Sequence, residues 1–441
     1  MNKISVGIVS QTPPVRLIAN HYGDRLKLSD LSKDEYSNTV GGVAPLITSE
    51  LNELMRRGFV SNATWFSLNP GAPKSIELSE GVKSVSVYME EGNSKLYTEF
   101  KEKVWKGIHN IRSDDFTVEE YLGYFRYNSK LASIILHDTE KIDLFEIHDF
   151  QQLLLGAMLG PAFPSILRWH APFMPELLNS KIRKFIVNGM EGNDAVIVST
   201  KRDLEGLIKA GFKGSAYQIY PHIDNTLWRK PGKARRSSFE HRFGIKDEHF
   251  LILNVARMDM IKSQDDLIKA FALVKDKRAR LMLVGGSSFT SKELGHPKGR
   301  IWTHRLRSIA RRLGVEDRVI FAGNLGHEDL ECAYSRADLF VLPSKTEGFG
   351  LVVVESWLYG TPAIVSEGAG VSELIMNGLN GFTFAPGKYR DLAERIDNLI
   401  MDEKLANYMG DSARGIAKAC YASNTSDLIA SAYRKTIEGF G

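Results

Sequence analysis

Two glutamates, Glu347 and Glu355, sit in the stretch with the densest chemical signal, PSKTEGFGLVVVESWLYGTP from Pro343 to Pro362. The apolar run Leu339–Leu342 predicts a strand, which leads into a loop holding Glu347. Gly348, Phe349 and Gly350 then open a helix predicted over Gly350–Leu358. Leu351, Val354 and Leu358 would line one face of it, with Glu355 one turn past Leu351 on nearly the same face. A carboxylate on an inward face is costly unless it finds hydrogen-bond donors. Ribose hydroxyls would supply them; the plainer account is a partly exposed surface salt bridge. The first helical turn leaves backbone N–H groups free, which with the helix dipole favours a phosphate or sugar oxygen. Gly348 and Gly350 let a ligand approach the backbone closely.

A second group lies in NVARMDMIK, Asn254–Lys262. A strand is predicted to end at Val255, with Arg257 and Lys262 in the loop before a helix. Two cations at a strand end suit a diphosphate. Fixed positive charges there stabilise a leaving group that gains negative charge in the transition state. The alternative is a pair of solvated surface cations. Gly285-Gly286 and Asn324-Leu325 follow the next two predicted strands, and a plain turn explains the glycines equally well. In the N-terminal half, Gly41-Gly42 precedes a predicted helix, where a helix-entry turn is the simpler reading. His148-Asp149 and His170 close two successive strand-like runs. A lone histidine is more often structural, but two at successive strand ends are less easily read that way.

These groups need a scaffold of strands and helices. Strand-like runs occur at Ile4–Ser10, Ser133–His137, Leu144–His148, Ser165–His170, Ala195–Ser199 and Tyr217–Tyr220. Helical periodicity is seen over Val43–Arg57 and Lys201–Ala210. Gln11–Val40 reads as polar and irregular. Trp228–Arg242 carries RKPGKARRSSFEHR, polar and basic with Pro231 and Gly232, and reads as an inter-domain linker. The alternation then restarts: strand Phe250–Val255, helix Gln264–Val274, strand Arg280–Val284, helix Trp302–Leu313, strand Val319–Phe321, helix Leu330–Arg336. It continues through strand Pro362–Val365, helix Val371–Met376 and final helices over about Tyr389–Ile437. Alternating strands and helices predict two doubly wound α/β domains, 1–230 and 231–420, with a C-terminal helix over 421–441 that packs back on the first. Ligands of such sheets bind outside the carboxyl ends of the strands, so a site in an inter-domain cleft is expected.

The segment from Glu347 to Glu355 resembles the E-x7-E signature of retaining glycosyltransferases, especially glycosyltransferase family 4. Asp338–Pro343 is similar to the strand leading into it, and SEGAGVSELIMNGLNG, Ser366–Gly381, to the block that follows. The resemblance implies a GT-B fold of two Rossmann-like domains and a nucleotide-sugar donor. It places Glu347 and the Phe349/Gly350 backbone beside the donor sugar and Glu355 on the ribose. Arg257 and Lys262 resemble the family's Arg-plus-Lys pair. Gly285-Gly286 resembles its glycine turn near the base, which Asn324 and Leu325 would hold through backbone groups. Gly42 corresponds to a glycine loop facing the donor phosphate. EIHDFQQ and ILRWHAP look like a matching pair in trehalose-forming synthases, which implies that His170 contacts the donor sugar and makes glucose transfer to a small sugar the first expectation. His148 and Asp149 are acceptor-side candidates, and PHID, Pro221–Asp224, stands where relatives have a similar turn. The sequence departs from the family at Gln11–Val40 and Ser287–Thr303, both extended. The second runs into a helix with Arg305, Arg307, Arg311 and Arg312, which reads as a solvated face or as a contact for an anionic acceptor, a membrane surface or a partner.

Of 441 residues, 43% are hydrophobic and 25% charged, an ordinary globular composition that leaves room for two cores. Net charge is +4, compatible with an anionic small molecule and a weak signal for nucleic acid. Two cysteines, Cys332 and Cys420, are expected as free thiols. MNKISVGIVSQTPP lacks the pattern of a signal peptide, and no long apolar run occurs, so a cytoplasmic protein is expected. There is no D-x-D pair, no G-x-G-x-x-G after the first strand and no P-loop, so neither a metal-held diphosphate, a dinucleotide oxidoreductase nor a P-loop enzyme is indicated. No metal or other cofactor is expected beside the nucleotide-sugar donor and a hydroxyl acceptor. A nucleotide-sugar epimerase, a sugar phosphorylase and a non-catalytic binding protein are the rival readings.

Overall fold

The computed structural model describes residues 3–18, 23–39, 43–112, 114–137, 141–160, 162–286 and 298–440. Internal contacts divide the chain into two compact units: Met1–His222 with Ala422–Gly441, and Ile223–Tyr421.

The first unit runs β1 (Ile4–Ser10), β2 (Val15–Leu17), β3 (Arg25–Lys27), β4 (Tyr36–Asn38), α1 (Ala44–Arg56), β5 (Val60–Leu68), β6 (Ser75–Ser79), β7 (Val82–Val87), α2 (Glu91–Ile108), α3 (Val118–His137). It continues with β8 (Leu144–His148), α4 (Leu155–Leu159), β9 (Ser165–Trp169), α5 (Ser180–Glu191), β10 (Ala195–Val198), α6 (Lys201–Lys209) and β11 (Ser215–Gln218). Its main sheet has the order β11-β10-β9-β8-β1-β5-β7-β6-β3, and β2 pairs with β4 separately. From β11 through β7 the pairs are parallel, and β6 meets β7 antiparallel. Such central strands are covered on both faces, so β8, β9 and β10 are buried at every residue. One face packs Phe66, Phe145 and Leu167 against Phe100, Tyr124 and Ile186 of the helices. The other packs Val6, Ile8, Trp65 and Ile166 against Ile47, Leu51 and Leu54 of α1.

The second unit runs α7 (Lys233–Phe243), β12 (Phe250–Val255), α8 (Gln264–Leu273), β13 (Ala279–Val284), α9 (Lys298–Arg312), β14 (Val319–Gly323), α10 (His327–Arg336), β15 (Leu339–Leu342) and α11 (Leu351–Leu358). Then follow β16 (Ala363–Ser366), β17 (Gly381–Phe384), α12 (Tyr389–Met401) and α13 (Glu403–Ala417). Its sheet, β14-β13-β12-β15-β16-β17, is parallel throughout. Ile252, Leu281, Val341 and Ile364 from four of these strands meet Leu267, Leu306 and Ile396 from the helices. The chain then returns to the first unit as α14 (Ala422–Glu438), whose Ile429, Ala430, Ala432 and Tyr433 join the face that α1 covers.

Five expectations differ from the structure. Ser133–His137 is the last turn of α3, because a short apolar run within a longer amphipathic helix has the same look as a strand. Trp228–Arg242 is not a free linker: α7 occupies Lys233–Phe243 and ends at Gly244 in a left-handed turn (φ 64°). That helix buries Phe239 and is tied to α10 by ion pairs, Arg235 with Glu331 and Arg242 with Asp329 (2.7 Å), so it shows no apolar stripe. The unit boundary falls at 222/223 rather than 230/231, since Ile223 N donates to Cys420 O (2.9 Å) and Arg229 N to Glu331 (2.6 Å). Val371–Met376 forms a 3-10 turn over Gly370–Leu374. Within Gln11–Val40 the described residues include three short strands, β2 to β4, with β3 extending the sheet edge. Cys332 and Cys420 are buried free thiols.

Candidate functional site

β12 and β15 are parallel neighbours, so their carboxyl ends bring the Arg257–Lys262 loop beside the Glu347 loop. Lys345 N donates to Ile261 O at 2.9 Å and joins the two backbones. Lys262 Nζ forms an ion pair with Glu347 Oε2, which also lies 3.4 Å from Ser344 Oγ. Lys262 is buried and Glu347 half-buried, so neither is a solvated surface charge. Glu347 is fixed by its backbone as well: its N donates to Gly368 O (3.1 Å), and its carbonyl accepts from Gly370 N (3.2 Å). Phe349 O accepts from Val371 N (2.9 Å). Gly350 adopts φ 106°, and a Cβ there would lie 2.7 Å from Leu342 Cδ2; glycine is what allows the loop to turn into α11. Gly348 is buried in the same turn.

Arg257 is exposed, but its backbone is held by Gln264, whose Nε2 donates to Arg257 O (2.8 Å) while its Oε1 accepts from Trp302 Nε1 (3.0 Å). The loops after β12, β13 and β14 are knitted together: Gly285 N donates to Gly323 O (2.8 Å) and Met258 N to Gly286 O (2.9 Å). Gly285 has φ 130°, and a Cβ would come within 2.0 Å of Ala256 O, so a side chain there is excluded. Asn324 is exposed against Gly286, and Leu325 is half-buried.

Glu355 lies at the border of the buried face of α11, whose buried residues are Val353, Val354, Ser356 and Trp357, not the Leu351–Val354–Leu358 stripe expected. Its partner is a tyrosine hydroxyl rather than a cation: Tyr334 Oη donates to Glu355 Oε2 at 2.6 Å. Burial pushes the Glu355 carboxyl above its usual pKa, opposed by the Tyr334 hydrogen bond and the field of His327. Tyr334 packs edge-on to Trp228 (ring centroids 5.6 Å apart), which lies 4.6 Å from the His327 ring. This aromatic group was not visible as a site in the sequence, since its members are spread over Trp228, His327, Tyr334 and Tyr359 with no common motif.

In the first unit, Gly42 lies outside the described residues. His148 and His170 converge at the ends of neighbouring strands β8 and β9. His148 Nδ1 is 3.0 Å from His170 Nε2, and the rings stack at 10°. Burial drives the His148 pKa well below the usual imidazole value, with Arg168 acting in the same direction. Burial does the same to His170, aided by His148, Arg168 and His222. Both imidazoles are therefore neutral near pH 7, each with one donor and one acceptor nitrogen. Asp149 adopts φ 62° and ψ −175°, a backbone region nearly reserved for glycine. Its Oδ1 accepts from His170 N at 2.9 Å, and burial raises its pKa to about 6 against that bond. Strain of this kind persists where surrounding structure holds it, often at functional sites. Among the described residues, no three His, Cys, Asp or Glu side chains are grouped to hold a metal ion. No described helix is long and apolar enough to cross a membrane.

Residues 236–415 match the family model described as glycosyl transferases group 1. The chain is 25% identical to N-acetyl-alpha-D-glucosaminyl L-malate synthase of Bacillus anthracis over 345 residues, 75% of this chain and 84% of that protein. It is 32% identical to mannosylfructose-phosphate synthase of Agrobacterium fabrum over 204 residues, 45% of this chain but 43% of that protein. Other curated relatives, such as a D-inositol 3-phosphate glycosyltransferase of Mycobacterium marinum, are likewise spanned over about half their length. In three dimensions the chain superposes on sucrose-phosphate synthase of Thermosynechococcus elongatus with TM-score 0.76 at 18% identity, covering 99% of this chain and 100% of that one. It superposes on Anabaena HepE in complex with UDP and glucose with TM-score 0.68 at 20% identity (98% and 100%). For a trehalose-6-phosphate synthase, OtsA, the TM-score is 0.77 at 15% identity (98% and 99%). At these identities the structural likeness speaks to fold. Residues 236–415 are therefore similar to the glycosyl transferases group 1 family, and the chain as a whole has the GT-B fold of two Rossmann-like units.

Proposed function

We propose that the protein transfers a hexosyl unit, glucose in the first instance, from a nucleoside-diphosphate sugar to a hydroxyl acceptor with retention of the anomeric configuration. The observation that carries this reading is the buried Lys262–Glu347 pair beside exposed Arg257 at the joined ends of β12 and β15. A buried lysine and a strand-end arginine form a fixed cationic site for a diphosphate, with the adjoining carboxylate set for sugar hydroxyls. Glu355, oriented by Tyr334, takes the ribose; the backbone near Gly285, Asn324 and Leu325 takes the base; His170 is assigned to the transferred sugar. In the reaction the bond between C1 and the β-phosphate oxygen breaks while the acceptor oxygen bonds C1 on the same face. The acceptor proton passes to the departing phosphate. Arg257 and Lys262 stabilise the charge that develops there, where such groups are worth about 3–4 kcal/mol each. With that charge met by protein cations, no metal is assigned a role.

Glucose is supported by the fold-mate HepE, described in complex with UDP-glucose, and by the likeness of the His148 and His170 segments to trehalose-forming synthases. The names of several relatives contain a sugar or cyclitol phosphate, which makes phosphorylated small sugars and cyclitols the first acceptors to try. The test is a thermal-shift screen of UDP-, ADP- and GDP-sugars, followed by transfer to an acceptor panel with NMR of the product's anomeric centre. A ligand at a hundredfold excess over its Kd adds about 2.7 kcal/mol of stability. Stabilisation by one donor and an acceptor-dependent, configuration-retaining product are expected. Conversion of the donor with no acceptor would instead show an epimerase, a requirement for free phosphate a phosphorylase, and binding without turnover a non-catalytic protein.

A further inference from the structure

Shortly after the second unit begins at Ile223, the residues Leu227, Trp228 and Arg229 are strapped across α10 and the end of α11. His327 Nε2 donates to Leu227 O (2.9 Å), Glu331 accepts from Arg229 N (2.6 Å), and Tyr359 Oη donates to Arg229 O (3.0 Å). These three bonds fix the backbone on both sides of Trp228. Its indole stands against three rings: His327 at 4.6 Å, Tyr334 at 5.6 Å with 71° between planes, and Tyr359 at 6.5 Å with 83°. Tyr334 is the residue whose hydroxyl holds Glu355. We propose that Trp228 is a positioning residue for Glu355: it keeps the Tyr334 hydroxyl aimed at the carboxylate, and so sets how well the protein tells a ribose from a sugar ring without hydroxyls. The inference rests on the assignment of Glu355 to the ribose.

The ring of the fully buried Tyr334 is enclosed by rings from three parts of the unit. Phe340 of β15 lies 6.0 Å away, Tyr359 stacks at 6.1 Å with 14° between planes, and Trp228 packs edge-on. Phe340 belongs to the sheet, and Tyr359 closes the helix that carries Glu355. Trp228 is different: it is half-buried, outside any helix or strand, between exposed Leu227 and Arg229. The strap bonds are what hold it in place. A tyrosine oxygen lies at the far end of its ring, so a small tilt of the ring swings the hydroxyl out of line with Glu355. Groups in a binding site have to be held to about 0.5 Å, by neighbours that lock their rotamers. Edge-on aromatic pairs favour one geometry, so an indole restrains that tilt where an aliphatic side chain would not. With Glu355 Oε2 held by Tyr334, the other carboxylate oxygen is set to accept from ribose hydroxyls.

The experiment is calorimetric titration of the full-length protein with UDP, ADP and GDP and with the 2′,3′-dideoxy form of each, the base that binds best being kept for the variants. The wild type should prefer the ribonucleotide about 30-fold, the usual worth of hydrogen bonds to a charged group. Trp228→Leu should cut that ratio about threefold to tenfold, as Tyr334→Phe does, and add no further loss in the Tyr334→Phe background. Trp228→Phe keeps an aromatic edge and should restore most of the preference. A thermal melt establishes that Trp228→Leu folds. Should it not, His327→Ala changes an exposed side chain, removes one strap bond and one ring from the indole, and should cut the ratio about threefold when Tyr334 is present and not in Tyr334→Phe. A wild-type ratio retained in Trp228→Leu or in His327→Ala would overturn the proposal. Equal weakening of the ribo and dideoxy forms would overturn it too, since that is what a merely structural tryptophan predicts. Ribo and dideoxy forms bound equally, or not at all, by the wild type would instead remove Glu355 from the ribose, and the positioning role with it.

Discussion

At the ends of β12 and β15 a lysine and a glutamate meet as charged groups beside an exposed arginine, whereas at the ends of β8 and β9 two histidines and an aspartate meet with burial opposing every charge. The first arrangement suits a ligand that brings negative charge and needs it met by fixed cations. The second suits neutral hydroxyls, which are recognised by direction of hydrogen bonding rather than by field. The difference teaches that one chain can keep fixed charge at the strand ends of one sheet and direction-dependent hydrogen-bonding groups at the strand ends of another.

The contrast can be broken most decisively at Arg257. Arg257→Ala should lower transfer by about 10²–10³-fold, the usual loss for a group aimed at developing charge. Being exposed, it should leave the melting temperature nearly unchanged, and transfer near the wild-type rate would remove the charge-based account of this sheet. Glu347→Ala leaves the Lys262 ammonium buried without its partner and should destabilise the protein by about 2–4 kcal/mol, less than for a fully enclosed pair because Glu347 keeps some solvent contact. Chemical denaturation measures this, and loss of less than half a kcal/mol would show that the pair is not stabilising. At the uncharged end, the pKa of Asp149 is raised from 3.8 to about 6 on folding. The native state therefore binds more protons than the unfolded chain in that window, and stability should fall as pH rises from 3.8 to about 6. Asp149→Asn should flatten this dependence and gain about 1–3 kcal/mol above pH 6 relative to wild type, seen as a crossing of the two denaturation profiles. The smallest effect is expected from Tyr334→Phe, which removes one hydrogen bond to Glu355: about threefold to tenfold weaker binding of the nucleoside diphosphate by calorimetry, with kcat little changed.

Local chemistry was legible where sequence neighbours do the work. The strand Leu339–Leu342, the glycine turn and the helix after it follow from a short run of residues, and the structure shows them with Gly350 at a positive φ that a side chain would resist. The parallel sheets followed from strand–helix alternation. Legibility fails where partners are distant or where ion pairs replace apolar stripes. α7 was hidden because its contacts are charged, although Gly244 after Arg242-Phe243 is the sort of residue that ends helices. Tyr334 and Tyr433 were missed for a different reason: each hydroxyl reaches a carboxylate on another element, and no local pattern marks a tyrosine for that role. The meeting of Glu50 with Tyr433 spans nearly the whole chain and is a product of topology alone.

The return of α14 to the first unit has a consequence for synthesis on the ribosome. The sequence of that unit is interrupted by the entire second unit, Ile223–Tyr421, so the interrupting unit emerges complete while its host still lacks a helix. Until Ala422–Glu438 is made, the apolar face around Val6, Ile8 and Ile166 stays partly uncovered, and Glu50, Glu146 and Arg168 lack the Tyr433 hydroxyl. The cover of that apolar face is therefore the last part of the first unit to be synthesised, after the whole of Ile223–Tyr421.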